Sequence, residues 1–344
     1  MTKQTVLPRW RGFNLLGMFA APSSSKYAEK GLNGRFDEDD FRMISEFGFN
    51  FVRLPLSYKV WADESDPFKI IEEKIAPLDD AVEYGKKYGL HVNICLHRIP
   101  GYCINDDDTE PFCLWTDPEA LECAKHHWRH IAKRYKDIPC EELSFNLFNE
   151  PKYDVDQATV TTVYAELIKA IREIDPDRLI IADGTHNGNQ PPTELMSEEF
   201  ENIAYSCRGY NPGSVTHFGV NFMENSKAIK PVWPGGIQTV SGRNVKWDRA
   251  KLDRHYGMWA ALAENFGVGV TCGEMGCFYK CPHDVMLAWY KDMMESLKER
   301  NLGYAVWNFR GTFGIMDSGR DDIELEDYNG HKLDRELLTL LQKY

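Results

Sequence analysis

The sequence predicts one α/β domain, a closed (β/α)8 barrel of eight parallel strands. Short β-rich segments alternate with longer segments of helical period along the whole chain. Each helix would return the chain so that the next strand runs in the same direction, which demands parallel pairing. No repeat, low-complexity tract or linker marks off a second domain within residues 1–344. Barrels of this kind commonly run to about 250 residues or more as one unit.

The predicted strands are short apolar runs rich in β-branched and aromatic residues. They cover 11–16, 49–54, 90–97, 143–149, 179–183, 203–207, 268–272 and 304–309. The longest irregular segments, 98–117 and 208–247, are predicted as βα loops that wall a cleft.

Apolar residues at intervals of three and four predict the intervening helices. The clearest case spans 121–135, and similar patterns span 160–174, 252–266 and 286–297. The second of these stops at Asp175-Pro176, because proline cannot extend a helix. The acidic run 37–40 indicates a helix start, where carboxylates face the positive end of the dipole.

The charge balance argues against polyanionic partners. Forty basic and 53 acidic residues give a formal net charge of −13, which repels phosphate backbones and anionic membrane surfaces. The N-terminus lacks the apolar core of about 7 to 15 residues that a signal peptide needs. A soluble, cytoplasmic chain is expected, or a secreted one if a leader has been removed.

Neither a metal nor another cofactor is expected. Nine scattered cysteines indicate reduced core thiols rather than a disulfide framework. The cluster of Cys272, Cys277, Cys281 and His283 lacks the paired C-x2-C spacing of structural zinc. The aspartates 106–108 are predicted to form a solvated turn, since the other ligands of a calcium loop are missing. Another group, His126, His127 and His130, is predicted to lie on a solvated helix face.

Two isolated acids carry the strongest chemical signal. Glu150 follows the apolar run 143–149, and Glu274 follows the run 268–272 after one glycine. Burying a carboxyl group without a partner costs several kcal/mol, so an acid at the end of a buried strand usually serves chemistry. The C-terminal ends of the fourth and seventh strands meet at one mouth of a barrel. Two such acids predict glycoside cleavage.

Further motifs at the predicted strand ends form an ordered set. With these motifs the chain resembles glycoside hydrolase family five, retaining β-glycanases that include many cellulases and mannanases, over nearly its whole length. The motifs are Arg11-Gly-Phe-Asn, Val52-Arg53-Leu-Pro, Leu96-His97-Arg-Ile-Pro-Gly-Tyr102, Asn149-Glu150-Pro, Tyr210-Asn-Pro, Thr216-His217, Trp233-Pro-Gly, Cys272-Gly-Glu274 and Val306-Trp307-Asn-Phe.

The resemblance implies a role for each matched residue. It makes Glu150 the general acid/base and Glu274 the nucleophile, which a retaining enzyme holds about 5 to 5.5 Å apart. The resemblance also implies two supporting residues, Arg53, which would keep Glu274 ionised, and Tyr210, which would donate a hydrogen bond to Glu274. Substrate-binding roles are implied for Asn149, which would bind the sugar 2-hydroxyl, and for His97 and His217, which would lie beside the sugar. Trp307 would form the stacking floor under the sugar ring.

Some of these residues also have plain structural readings. Arg53 could form a structural ion pair, His97 could be a core histidine, and Trp307 could simply pack. The loop aromatics Trp115, Trp233 and Trp247 could stack on sugar rings or anchor their loops. Among the loop aromatics Tyr102, after a Pro-Gly pair, is favoured as a platform.

One position departs from the family pattern. Arg208 stands where the family usually has a histidine before Gly209-Tyr210-Asn-Pro. A permanent cation near the acid/base would lower its pKa and impair proton donation. The arginine therefore turns away to another acid, or the pH profile is shifted, or the substrate is unusual.

The sequence thus predicts a retaining glycoside hydrolase that cleaves β-1,4-linked glucan or gluco-oligosaccharides. Alternatives in the same family are a β-mannanase, a β-mannosidase or another exo-acting β-glycosidase. A non-catalytic carbohydrate-binding barrel is a further alternative, favoured by Arg208. A metal-dependent barrel hydrolase lacks a convergent ligand set. Nothing in the sequence indicates an oligomeric state.

Overall fold

The computed structural model describes residues 5–21, 34–105, 109–197 and 200–344, so the aspartates 106–108 lie outside the described residues. Eight parallel strands close into a barrel, as predicted. Each strand pairs with its neighbours in the chain, and the first pairs with the last. The strands are β1 Arg11–Asn14, β2 Phe51–Ser57, β3 His91–Ile99, β4 Leu143–Asn146, β5 Ile180–Asp183, β6 Ile203–Gly209, β7 Gly269–Met275 and β8 Gly303–Val306.

One helix follows each strand and packs on the outside of the barrel. The helices are α1 Glu38–Glu46, α2 Pro77–Tyr88, α3 Pro118–Tyr135, α4 Gln157–Arg172, α5 Thr193–Met196, α6 Arg249–Phe266, α7 His283–Glu299 and α8 Arg335–Lys343. The four helices predicted from periodicity are confirmed as α3, α4, α6 and α7. The acidic run begins α1, where the Asp37 side chain accepts a hydrogen bond from the Asp39 N–H at 3.0 Å.

Smaller elements decorate the connections. Short helical segments lie at Tyr58–Val60, Glu72–Ile75, Thr185–Gly188 and Gly213–Thr216. Antiparallel hairpins pair Ala62–Asp63 with Asp66–Ile70, Gly236–Val240 with Arg243–Trp247, and Glu326–Tyr328 with His331–Leu333. Tyr102–Cys103 pairs antiparallel with the end of β3. The two segments predicted as irregular loops therefore contain short strands of their own.

Buried tryptophans fasten three helices to the barrel. Trp128 of α3, Trp259 of α6 and Trp289 of α7 are fully buried. The indole of Trp128 donates to the Leu147 carbonyl at 3.0 Å, and that of Trp289 donates to the Asn211 carbonyl at 3.0 Å. Both acceptors lie just beyond strand ends, so these helices brace the backbone at the C-terminal mouth.

The histidine group on α3 is not uniformly solvated. His127 is fully buried, accepting at Nδ1 from the Trp61 indole at 3.0 Å and contacting the Pro67 carbonyl through Nε2 at 2.8 Å. The prediction of a solvated face is therefore wrong for His127, because the hairpin after β2 covers it. All nine cysteines are free thiols. None of the described helices is long and apolar enough to cross a membrane.

Candidate active site

The two acids singled out in the sequence meet at one guanidinium group. Arg208, near the end of β6, places Nε 2.5 Å from Glu150 Oε1 and Nη2 3.5 Å from Glu274 Oε1. Glu150 lies four residues beyond the end of β4, and Glu274 is the penultimate residue of β7. The fold therefore brings the two carboxyl groups together at the C-terminal mouth of the barrel.

Glu274 is held by charged and neutral donors. Arg53 Nη1 lies 2.6 Å from Oε1, and the Tyr210 hydroxyl donates to Oε2 at 3.1 Å. The Glu274 side chain is 5% exposed and that of Arg53 is 1% exposed. Charge-assisted hydrogen bonds in so dry an environment fix the carboxylate in place.

Arg53 is itself immobilised, because partners surround every edge of its guanidinium group. Beyond Glu274, its acceptors are Asn146 Oδ1 at 3.0 Å, Asn14 Oδ1 at 3.0 Å, Asn149 Oδ1 at 2.8 Å and the Cys95 sulfur at 3.0 Å. They come from β1, β3 and β4 and the residues after it. The bundle of contacts places a rigid cation beneath the nucleophile candidate.

Glu150 has an unusual backbone that two neighbours clamp. Its φ of 43° is in the left-handed region that non-glycine residues rarely adopt. Its N–H donates to Asp183 Oδ2 at 2.9 Å, and its carbonyl accepts from the Tyr102 hydroxyl at 2.6 Å. Strained backbone of this kind persists only where its surroundings enforce it, and it is common at active sites.

Burial raises the pKa of Glu150 to about 7. This value includes the Arg208 cation, which lowers the pKa, and the negative charges of Glu274 and Asp183, which raise it. The Glu150 side chain is 14% exposed, so it still reaches the cleft. A carboxyl group in this setting can hold a proton near neutral pH.

Asp183 is the residue that the sequence analysis missed. It closes β5, is fully buried, and forms an ion pair with Arg208 Nη2. Its Oδ1 accepts from Asn146 Nδ2 at 3.0 Å. Arg208 thus contacts both the candidate acid and a second acid, so the first of the three alternatives, that it turns away from Glu150, is wrong. The signal for Asp183 was the same as for the two glutamates, an acid at the end of an apolar run.

Two buried polar atoms beside the carboxyl groups lack a hydrogen-bond partner among the described residues. They are Asn149 Nδ2 and His97 Nδ1. Asn149 Oδ1 is occupied by Arg208 Nη2 at 2.8 Å as well as by Arg53. His97 Nε2 bonds Asn105 Oδ1 at 2.9 Å, and its Nδ1 lies 4.0 Å from Glu274 Oε1. Burial and the cations Arg53 and Arg208 lower the pKa of His97 to about 3, so the ring is neutral.

Aromatic side chains line the mouth around these groups. The half-buried Trp307 lies beside His97, with ring centroids 5.6 Å apart. His217 lies beside Tyr210, with centroids 5.1 Å apart, and burial lowers the pKa of His217 to about 4. Both side chains are half-buried.

The remaining loop aromatics pack against other residues and hold their loops in place. Tyr102 is 5% exposed and packs edge-on against Trp115 and Phe148. Its supporting contact with Glu150 fits the structure better than the predicted platform. Trp233 donates to Asp292 Oδ2 at 2.9 Å, and Trp247 is buried, so both anchor the loop before α6.

Among the residues that the structure describes, no group of three or more His, Cys, Asp or Glu side chains could hold a metal ion. The positive charge beside the two acids comes instead from Arg53 and Arg208.

A family model described as Cellulase (glycosyl hydrolase family 5) matches residues 11–312. The chain belongs to glycosyl hydrolase family 5. This confirms the resemblance seen in the sequence, and the protein is a cellulase-like glycoside hydrolase.

Two named relatives are similar to this chain over most of their length. Endoglucanase C of Acetivibrio thermocellus is 27% identical over 310 residues, covering 85% of this chain and 89% of the relative. Cellodextrinase A of Ruminococcus flavefaciens is 24% identical, covering 82% of this chain and 80% of the relative. A crystal structure of a glycoside hydrolase superposes with a TM-score of 0.87 at 35% identity, covering 97% of this chain and 99% of that one.

Proposed function

We propose that this family 5 protein is a retaining β-glycosidase that cleaves β-linked glucan through a covalent intermediate on Glu274. The main support is that Glu150 and Glu274 both lie beside the Arg208 guanidinium but have unequal environments. Glu274 lies between Arg53 and Arg208 and accepts from Tyr210, whereas burial raises the pKa of Glu150 to about 7. One group is thereby suited to attack as a carboxylate and the other to donate a proton.

Hydrolysis would proceed in two displacements at the anomeric carbon. In the first, Glu274 attacks the anomeric carbon while Glu150 gives its proton to the departing glycosidic oxygen. In the second, the ionised Glu150 takes a proton from water, the water oxygen bonds to the anomeric carbon, and Glu274 leaves as a carboxylate. The two arginines stabilise the negative charge of Glu274 before and after its covalent stage.

Sugar recognition falls to the unpartnered polar atoms. Asn149 Nδ2 is a donor, and His97 Nδ1 is an acceptor when its Nε2–H donates to Asn105 Oδ1. A sugar hydroxyl can satisfy either atom, and binding it would remove the cost of a buried polar group without a partner. Trp307 would supply the apolar floor under the ring, and Tyr210 and His217 would line its side.

The β-1,4-glucan class is supported by what the relatives are named for. They include endoglucanases and a cellodextrinase, and a Thermotoga maritima Cel5A structure at 25% identity and a TM-score of 0.75 is described in complex with cellobiose. A mannan-type substrate is the second candidate. It is favoured by a structure of the same Cel5A described in complex with mannotriose, at 25% identity and a TM-score of 0.76.

One experiment tests mechanism and substrate together. The protein is incubated with cello-, manno- and mixed-linkage oligosaccharides, and NMR records the anomer of the first product. We expect the β-anomer to form first and cello-oligosaccharides to give the highest kcat/KM. A first product with the α-configuration would contradict the retaining mechanism, and a preference for manno-oligosaccharides would select the second candidate.

A 2-deoxy-2-fluoro cellobioside with a good leaving group tests the nucleophile. We expect mass spectrometry of the digested protein to place the trapped sugar on the peptide that contains Glu274. Label on any other acid would contradict the assignment.

A further inference from the structure

Asp183 has contacts that set it apart from an ordinary buried acid. Its carboxylate pairs with Arg208 Nη2, while the same guanidinium contacts Glu150 through Nε at 2.5 Å. Its Oδ2 also accepts from the Glu150 N–H at 2.9 Å. One fully buried side chain therefore contacts both the backbone of Glu150 and the cation that faces the Glu150 carboxyl group.

We propose that Asp183 is a positioning residue for the acid/base Glu150, offsetting the charge of Arg208 and holding the left-handed backbone that aims the Glu150 carboxyl group. The proposal rests on the proposed function of Glu150. It names a residue at the end of β5, outside the set of motifs that carries the resemblance to the family.

The positive charge of Arg208 has to be offset if Glu150 is to keep its proton. Arg208 alone would stabilise the ionised form of Glu150, and an acid that has lost its proton cannot protonate a leaving oxygen. Asp183 shares the guanidinium, so the cation is already paired before Glu150 ionises. Asn149 Oδ1 and Ser206 Oγ, each 2.8 Å from a terminal nitrogen, hold the guanidinium in this shared position.

The groups that face Glu150 come from every side of the mouth. Arg208 contacts it from β6, and the charges of Asp183 on β5 and Glu274 on β7 act on it. The phenols of Tyr210 and Tyr102 lie within the range of its charge, and Arg53 lies behind Glu274. Of the two acids that oppose ionisation of Glu150, Asp183 is the one that the double displacement leaves chemically unused.

The test is the pH dependence of Asp183→Asn. The basic limb of kcat/KM on an aryl β-cellobioside with a poor leaving group reports the acid in the free enzyme. Loss of the Asp183 charge should move this limb to lower pH by about one unit or more. An unmoved limb with activity reduced equally at every pH, together with an unmoved titration of the Glu150 carboxyl group, would overturn the proposal, because a purely structural residue gives that result.

The control is Tyr164→Phe, which removes a hydrogen bond of 3.0 Å to the main-chain oxygen of Asp183 but leaves its carboxylate. Its basic limb should stay at the wild-type pH. A shift equal to that of Asp183→Asn would attribute the effect to backbone displacement and overturn the charge argument.

A second pair of variants keeps the proposal testable if Asp183→Asn does not fold. Arg208→Gln and the double variant Asp183→Asn/Arg208→Gln leave no unpaired cation at this position. The basic limb of the double variant should lie at lower pH than that of Arg208→Gln, because the Asp183 charge opposes ionisation of Glu150 in either background. Equal limbs would overturn the proposal.

Carboxyl 13C NMR separates this proposal from the proposed function. Titration of labelled glutamate, assigned by comparison with Glu150→Gln, reports Glu150 whether or not that residue is catalytic. A titration that moves in Asp183→Asn while the kinetic limb stays would support the action of Asp183 on Glu150. The same result would contradict the role of Glu150 as the catalytic acid, which belongs to the proposed function.

Discussion

The Tyr102 hydroxyl donates a hydrogen bond to the Glu150 carbonyl at 2.6 Å. This contact ties the backbone of Glu150, the proposed acid, to the loop between β3 and α3. From β5, Asp183 accepts a hydrogen bond from the N–H of the same residue, Glu150. The left-handed Glu150 is therefore held from both sides by side chains of other elements.

Tyr102→Phe should lower kcat without changing KM. Losing one hydrogen bond costs about 0.5 to 1.5 kcal/mol, so we expect kcat to fall about 2- to 13-fold. The measurement is steady-state kinetics on an aryl β-cellobioside. Tyr135→Phe is the matched control, since its hydroxyl contacts Asp79 on the outer helices at 2.8 Å. A kcat that stays at the wild-type value would show that the clamp has no part in catalysis.

Glu274→Gln should abolish turnover while the protein stays folded. The amide cannot form the glycosyl ester, so we expect kcat to fall by at least about 10³-fold. Its oxygen can still accept from Arg53, which limits the loss of stability. Circular dichroism checks folding, and residual activity above about a hundredth of the wild type would contradict the assignment of the nucleophile.

Glu150→Ala should affect substrates unequally. An activated aryl glycoside needs no acid to depart, so its first step should be largely spared, while natural oligosaccharides lose both displacements. Azide should partly restore turnover of the activated substrate, because its attack needs no base. The measurement is the rate with and without azide, together with identification of a β-glycosyl azide. Equal losses on both substrates would argue that Glu150 is not the acid.

The sequence was sufficient for the barrel and for its chemical centre. Parallel strands buried on both faces are continuous apolar runs, so their positions could be predicted from composition. Because strand ends of a barrel share one mouth, the convergence of Glu150 and Glu274 followed from the topology.

The partners of these acids were harder to predict, since they depend on distant contacts. How Arg208 is shared between Glu150 and a second acid depends on Asp183 of β5 and on Asn149, which follows β4. The left-handed φ of Glu150 is enforced by Tyr102 and Asp183 rather than by local sequence. Helical periodicity likewise could not reveal that a hairpin 60 residues away in sequence covers His127.

Arg208→His should move the basic limb of kcat/KM to higher pH. Burial raises the pKa of Glu150 to about 7 even though the guanidinium acts in the opposite direction. A histidine is largely neutral above about pH 6.5, so the ionised form of Glu150 loses its stabilisation and its pKa rises. We expect a shift of about one unit. Arg178→Lys is the control, because Arg178 pairs with Asp175 and contacts the Leu143 carbonyl at the start of β4. An unchanged profile would show that the guanidinium does not influence the acid.

Protonation of His127 should destabilise the fold in acid. Its Nδ1 accepts from Trp61, so adding a proton there would set two donors against each other, and burial lowers the pKa of His127 to about 4. The unfolded chain binds this proton below about pH 6.5 while the folded protein does not. The stability is therefore complete above about pH 6.5 and is lost as the pH falls towards 4. We expect this residue to contribute about 1 to 3 kcal/mol of that loss.

His127→Gln, which can keep an acceptor and a donor, should show a smaller decrease in the free energy of unfolding between pH 7.5 and pH 4.5, measured with urea. Equal decreases in the variant and the wild type would show that another group causes the acid sensitivity.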